Sequence, residues 1–105
     1  MTEEHAIQNA IRIALSGYGI VFRANVGKVR TPDGRFFDTG LPKGFSDLFG
    51  FRFKDHRIFF IETKTPTGRV TPEQKDFLEA MSSKGALAGV ARSVDDAIKI
   101  IMEDK

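Results

Sequence analysis

Apolar side chains at Ile7, Ala10, Ile11, Ala14 and Leu15 recur at the spacing of one helical face, predicting a helix over residues 3–16 that Ser16, Gly17 and Gly19 bring to a stop. Ile20 to Val26 reads as a strand, and in residues 29–37 a Pro32-Asp33-Gly34 turn between short β-prone flanks predicts an irregular, exposed hairpin. Thr39 to Ser46, with Gly40, Pro42 and Gly44, is a loop that delivers the chain to Asp47. Two β-prone runs follow, Asp47–Phe53 and Ile58–Lys64, separated by polar residues 54–57, and an antiparallel hairpin at the centre of a sheet is their simplest pairing. Thr71-Pro72-Glu73-Gln74 opens a second helix, with Thr as N-cap, Pro at the first helical position and Gln three residues after the cap. Gly85 ends that helix, Ala86–Ala91 is a short apolar strand, and Ser93 caps a last helix with Val94, Ala97, Ile98 and Ile101 facing inward. The order is αβββαβα, with the 29–37 hairpin able to add strands. Strands alternating with helices indicate a single α/β domain over residues 1–105, without internal repeat or linker.

Composition narrows the chemistry. With 41% hydrophobic and 29% charged residues, the chain can build one compact core, and a domain of 105 residues leaves dimerisation as a natural reinforcement. There is no cysteine, so disulfides, thiolate-bound zinc and thiol nucleophiles are excluded, and any metal must take oxygen or imidazole ligands. An acidic start and the lack of a run of about 20 apolar residues point to an intracellular protein off the membrane. The net charge of +2 hides a division: residues 23–69 hold ten Lys/Arg against five Asp/Glu, whereas the flanks hold six against nine. The basic middle suits a phosphate backbone, and Asn25, Lys28, Arg30, Arg35 and Lys43, crowded ahead of Asp47, are the candidate DNA contacts.

Asp47 is followed fifteen residues later by Glu62-Thr63-Lys64. Strand alternation puts Glu62 and Lys64 on one face. Asp47 joins that face if the hairpin sets it opposite Lys64, with the turn centred on Asp55-His56, or opposite Glu62; a one-residue slip puts it on the other face. Two carboxylates aimed at one spot repel each other unless a cation lies between them, and oxygen donors favour Mg²⁺, Mn²⁺ or Ca²⁺. The backbone carbonyl of Thr63 is a further candidate ligand. Such a cation lowers the pKa of a bound water and polarises a phosphoryl oxygen, with Lys64 orienting the nucleophile or stabilising charge on the phosphate. An isolated Glu-x-Lys is commonly only a solvated salt bridge, but Glu62 closes the apolar run Ile58-Phe59-Phe60-Ile61, where an acid needs a partner.

Gly44-Phe45-Ser46-Asp47, the Glu62-Thr63-Lys64 triplet and Gln74 at a helix start together resemble the VRR-NUC branch of the PD-(D/E)xK nuclease superfamily, over nearly the whole chain. The resemblance implies a restriction-endonuclease-like fold, a central mixed sheet flanked by helices. It implies Asp47, Glu62 and Lys64 as the catalytic triplet of a Mg²⁺- or Mn²⁺-dependent endonuclease. It also implies a helix-one glutamate near the metal, a position that Glu4 fits, with Glu3 as competitor. Gln74 resembles the family's active-site glutamine, although a capping role alone would account for it. Stand-alone bacterial and phage members imply a cytoplasmic homodimer acting on branched DNA such as four-way junctions; a monomeric nicking or flap endonuclease and a non-catalytic DNA-binding module are the alternatives. Where the family pattern has Gly-x-Pro-Asp, this chain has Ser46, which lacks the fixed φ of proline and leaves every ligand in place. Neither His5 nor His56 is assigned a ligand role.

Overall fold

The computed structural model describes residues 2–24, 28–30, 32–34, 36–38 and 40–104, and of 28–30 and 36–38 the backbone alone. Its elements in chain order are α1 (Glu3–Leu15), β1 (Gly19–Arg23), β2 (Lys28–Arg30), β3 (Phe36–Asp38), β4 (Leu48–Arg52), β5 (Ile58–Thr63), α2 (Pro72–Ser83), β6 (Leu87–Ala91) and α3 (Val94–Ile101). β1, β4, β5 and β6 form one mixed sheet in that order, antiparallel up to β5 and parallel between β5 and β6. β2 and β3 pair separately as the hairpin expected around Pro32-Asp33-Gly34.

Alternation along β5 sorts the core into two layers. Phe59 and Ile61, fully buried, face α1 and α3 and pack with Ile11, Leu15, Leu48, Leu87, Ala97 and Ile101. Phe60 faces the other way, into a cluster with Leu78 and Ala86 that Phe45, Phe49, Phe77 and Met81 extend. Each fully buried Phe, Ile or Leu contributes about 1.5–3 kcal/mol, so the centre of this small sheet carries most of the stability. β5 is covered on both faces, and for that reason its sequence reads as a continuous apolar run rather than an alternating one.

Local signals account for the helix ends. Thr2 caps α1 by accepting from His5 N, Ser93 caps α3 by accepting from Asp96 N, and both helices carry two acids in the first turn, opposite the positive end of the helix dipole. α2 ends at Ser83, after which Gly85 takes φ +99°, a conformation that glycine enters without strain. The buried stripe of α1 runs through Gln8, Ile11 and Leu15, and Ala10, expected to face inward, is exposed. Gln8 joins the inward stripe of Ile11 and Leu15, with its amide donating to the buried Thr63 hydroxyl.

Candidate active site

The β4–β5 ladder pairs Leu48 with Ile61 and Phe49 with Phe60, which places Asp47 opposite Glu62, the second of the two registers compatible with a shared face. The connection is a four-residue loop, Phe53 to His56, closed by Arg52 N donating to Arg57 O at 3.0 Å. Arg52 is almost fully buried and clasps Asp55 through two hydrogen bonds of 2.8 Å, while its Nη1 donates to the carbonyls of Ile101 and Glu103. This tie sets the loop length and docks the end of α3 against the hairpin. His56 sits in the loop with φ +60°, at the opposite end of the strands from Asp47 and Glu62.

At the other end of the hairpin, four segments converge. Glu4 from α1, Asp47 from the start of β4 and Glu62 from the end of β5 bring carboxylate oxygens within 4.8 Å of one another. Lys64 follows one residue beyond β5 on the Glu62 side, its N–H held by Ala91 O at 3.1 Å, and its positive charge acts on Glu62. Gln74 reaches in from α2: its Nε2 donates to Glu62 Oε1 at 3.1 Å, while its Oε1 accepts from Thr71 N at 2.9 Å. Gln74 therefore caps α2 with one end of its amide and meets Glu62 with the other.

The motif loop before Asp47 is held without a proline. Gly44 has φ +90°, and a Cβ there would lie 2.4 Å from Glu73 O, so the loop touches the backbone of the first turn of α2 at a point that only glycine fits. Phe45 packs against Phe77, Phe49 and Phe60, with ring centroids 4.9, 5.5 and 5.7 Å away. Ser46 is wholly buried, and its hydroxyl donates to Leu48 O at 2.8 Å, bridging the entry to the strand. Asp47 is fixed at both ends: its carbonyl accepts from Ala24 N at 2.8 Å, and its Oδ2 accepts from Thr63 N at 3.0 Å and Thr63 Oγ1 at 2.7 Å. Because the N–H and C=O of one strand residue point to the same side, the Thr63 carbonyl is also directed toward Asp47, past the start of β4.

Glu62 is 2% exposed, and its Oε2 is buried without a donor. Burial, the neighbouring Asp47 charge and a hydrogen bond to Asp47 that requires a proton on Glu62 push its carboxyl up to about 9; Lys64 opposes this and Glu4 adds to it. With a proton on Glu62 the pair can share it, and with both groups ionised the two charges repel each other. A divalent cation would resolve the same conflict, and a set of hard oxygen donors suits such an ion.

The sequence profile of the VRR-NUC domain matches residues 28–95, more than half of the chain. The chain belongs to the VRR-NUC family. The family is one of nucleases, and the match spans Asp47, Glu62, Lys64 and Gln74. Among solved structures, one described as a VRR_NUC domain is similar with a TM-score of 0.69 at 21% identity over all of both chains. A second, a VRR_NUC domain protein, gives 0.64 at 20% identity over 95% of this chain and 85% of that one. At these identities the structures establish that the α/β architecture is the VRR-NUC fold. No curated protein matches the chain in sequence.

The DNA-contact candidates are placed unevenly. Asn25 and Arg35 lie outside the described residues, and Lys28 and Arg30 are described only as β2 backbone. Lys43, 83% exposed, lies next to Gly44 with its ammonium 3.5 Å from Glu73. Sequence reasoning missed the parts played by Gln8, Thr63 and Arg92. Gln8 was visible as a polar residue within an apolar stripe. Arg92, just after β6, donates to the carbonyls of Thr65 and Gly68 at 2.6 and 2.7 Å and so holds the turn that follows Lys64; nothing in its local sequence announces this.

Proposed function

We propose that this VRR-NUC domain is a divalent-metal-dependent endonuclease that hydrolyses phosphodiester bonds in branched DNA such as four-way junctions, acting as a homodimer in the cytoplasm. The observation that carries the catalytic reading is the convergence of three carboxylates within 4.8 Å, one with a buried oxygen that has no donor, beside Lys64. Glu4, Asp47, Glu62 and the carbonyl of Thr63 would hold Mg²⁺ or Mn²⁺. When bound, the cation supplies Lewis-acid polarisation of the phosphate and a more acidic water. The chain's own groups do the rest. Lys64 neutralises charge on the phosphate or orients the attacking water, and the β6 carbonyl that holds its backbone keeps it on the Glu62 side. Gln74 fixes Glu62 by its amide, and Thr63 fixes Asp47. The basic middle of the chain, with Asn25, Lys28, Arg30, Arg35 and Lys43, would track the DNA backbone.

The dimer reading draws on a second feature. α2 covers β5 and β6 but leaves the same face of β1 and β4 open, so that Ile20, Phe22 and Ile58 are 39%, 48% and 45% exposed around half-buried Phe49 and Phe51. A contiguous exposed apolar face marks an interaction surface, and a second copy of the chain is the partner that fits this reading. A C₂ pair would present two equivalent sites to paired strands of a junction. No helix among the described residues is long and apolar enough to cross a membrane.

Cleavage of a four-way junction, a flap and a linear duplex, each with Mg²⁺, Mn²⁺ or EDTA, tests the reading. Symmetric junction cuts that need metal are expected, with Asp47→Ala and Lys64→Ala inactive but still binding DNA. Preference for the flap would favour a monomeric nicking enzyme, binding without cleavage a DNA-binding module, and full turnover in either variant would remove the mechanism.

A further inference from the structure

Asp47 does not present two equivalent oxygens. Its Oδ2 accepts two hydrogen bonds from Thr63, one from the backbone N–H at 3.0 Å and one from the hydroxyl at 2.7 Å. The hydroxyl in turn accepts from Nε2 of buried Gln8 at 3.4 Å. A threonine hydroxyl has one proton to give, and with the Gln8 amide donating into its oxygen that proton goes to Asp47. Two donors occupy the lone pairs of Oδ2, and Oδ1 alone is left for a cation. Thr63 is fully buried in β5, between the backbone of Lys64 on one side and Glu62 on the other, so it has no freedom to swing away.

We propose that the Thr63 hydroxyl, backed by Gln8, is a specificity determinant for the cation: it holds Asp47 to one-oxygen coordination and so selects Mg²⁺ and Mn²⁺ against Ca²⁺. The proposal rests on the metal-dependent reading above. Mg²⁺ demands near-octahedral geometry from single oxygens at about 2.0–2.1 Å, whereas Ca²⁺ takes six to eight oxygens at about 2.3–2.6 Å and readily uses a carboxylate through both. With the hydroxyl gone, Oδ2 keeps only the backbone donor, and the lone pair released lets Asp47 offer a second oxygen to a larger cation. Outer partners of metal ligands commonly alter affinity by about 10–100-fold when removed, which sets the scale.

The test is calorimetric titration of the full chain with Mn²⁺ and with Ca²⁺ alone, without DNA, for wild type, Thr63→Val and Thr63→Ser. Thr63→Val keeps shape and the backbone donor while losing the hydroxyl, and its ratio of Ca²⁺ to Mn²⁺ affinity is expected to rise about tenfold, in line with the loss of an outer partner. Thr63→Ser is expected to keep the wild-type ratio. A Thr63→Val ratio within twofold of wild type overturns the inference while leaving the metal-dependent reading intact; a wild-type chain that binds neither ion overturns both. If the buried Gln8 amide, left without its acceptor, prevents Thr63→Val from folding, the wild-type crystal structure with Mn²⁺ decides instead. Coordination through Oδ1 alone with both Thr63 contacts kept is expected, and two-oxygen coordination by Asp47 refutes it.

Discussion

Glu62→Gln is expected to stabilise the cation-free protein at neutral and alkaline pH, at the expense of the activity proposed for it. The carboxyl of Glu62 is raised from 4.5 to about 9 in the folded chain, first by burial and then by Asp47. Between those values the folded state keeps a proton that the unfolded chain has released. Stability therefore falls by about 1.4 kcal/mol per pH unit as pH rises from 4.5 toward 9, and the full stability is present only below that window. At pH 7.5 the window has been crossed for three units, a ceiling of about 4 kcal/mol; if relaxation and water entry recover half, about 2 kcal/mol remains. For a domain of this size that is roughly 8–16 °C in Tm. Gln is nearly isosteric, cannot ionise, and can donate from Nε2 toward Asp47 where Oε2 has no donor. The assay is thermal unfolding of wild type and Glu62→Gln from pH 5 to pH 9 in EDTA. The two curves should converge near pH 5 and separate as pH rises. Mg²⁺ or Mn²⁺ should then close the gap by stabilising wild type alone, by about 2.7 kcal/mol at a hundred times Kd. Parallel curves in EDTA would refute the reasoning, because the raised carboxyl would not be linked to folding.

Two further substitutions probe the supports of the site. Gly44→Ala meets Glu73 O at 2.4 Å in a backbone conformation that alanine resists, so a loss exceeding about 1 kcal/mol, seen as a Tm drop of at least about 4 °C, is expected; an unchanged melt would mean that the loop does not touch α2. Gln74→Glu preserves an acceptor for the Thr71 cap but replaces the donor to Glu62 with a negative charge. It should leave the acid-pH melt near wild type, steepen the loss of stability toward alkaline pH in EDTA and weaken Mn²⁺-supported cleavage. A uniform shift at every pH would assign Gln74 to capping alone.

Much of the fold was legible because its signals are local. The capping box at Thr71 to Gln74, the Ser93 cap and the Pro32-Asp33-Gly34 turn each depend on residues within a few positions, and each stands where expected. The hairpin register was not fully legible: setting Asp47 opposite Lys64 or opposite Glu62 satisfies the same alternation, and the register found goes with a clasp of Arg52 on Asp55, Ile101 and Glu103 that joins distant stretches. Contacts that join distant stretches were hidden for the same reason. Gln8 meets Thr63 across 55 positions, and Arg92 meets Thr65 across 27. Ser46 shows a substitution whose structural answer lies elsewhere: the rigidity that proline would lend is supplied by Gly44 on α2, by Phe45 among three rings and by a buried hydroxyl.

The divided amide of Gln74 ties helix nucleation to readiness for chemistry. The first turn of a helix is its costly step, and here the residue that closes that turn is also the one that steadies Glu62. A chain in which α2 has not yet wound has neither its cap nor a restrained carboxylate. Restraint of Glu62 thus arrives with the winding of α2 rather than ahead of it.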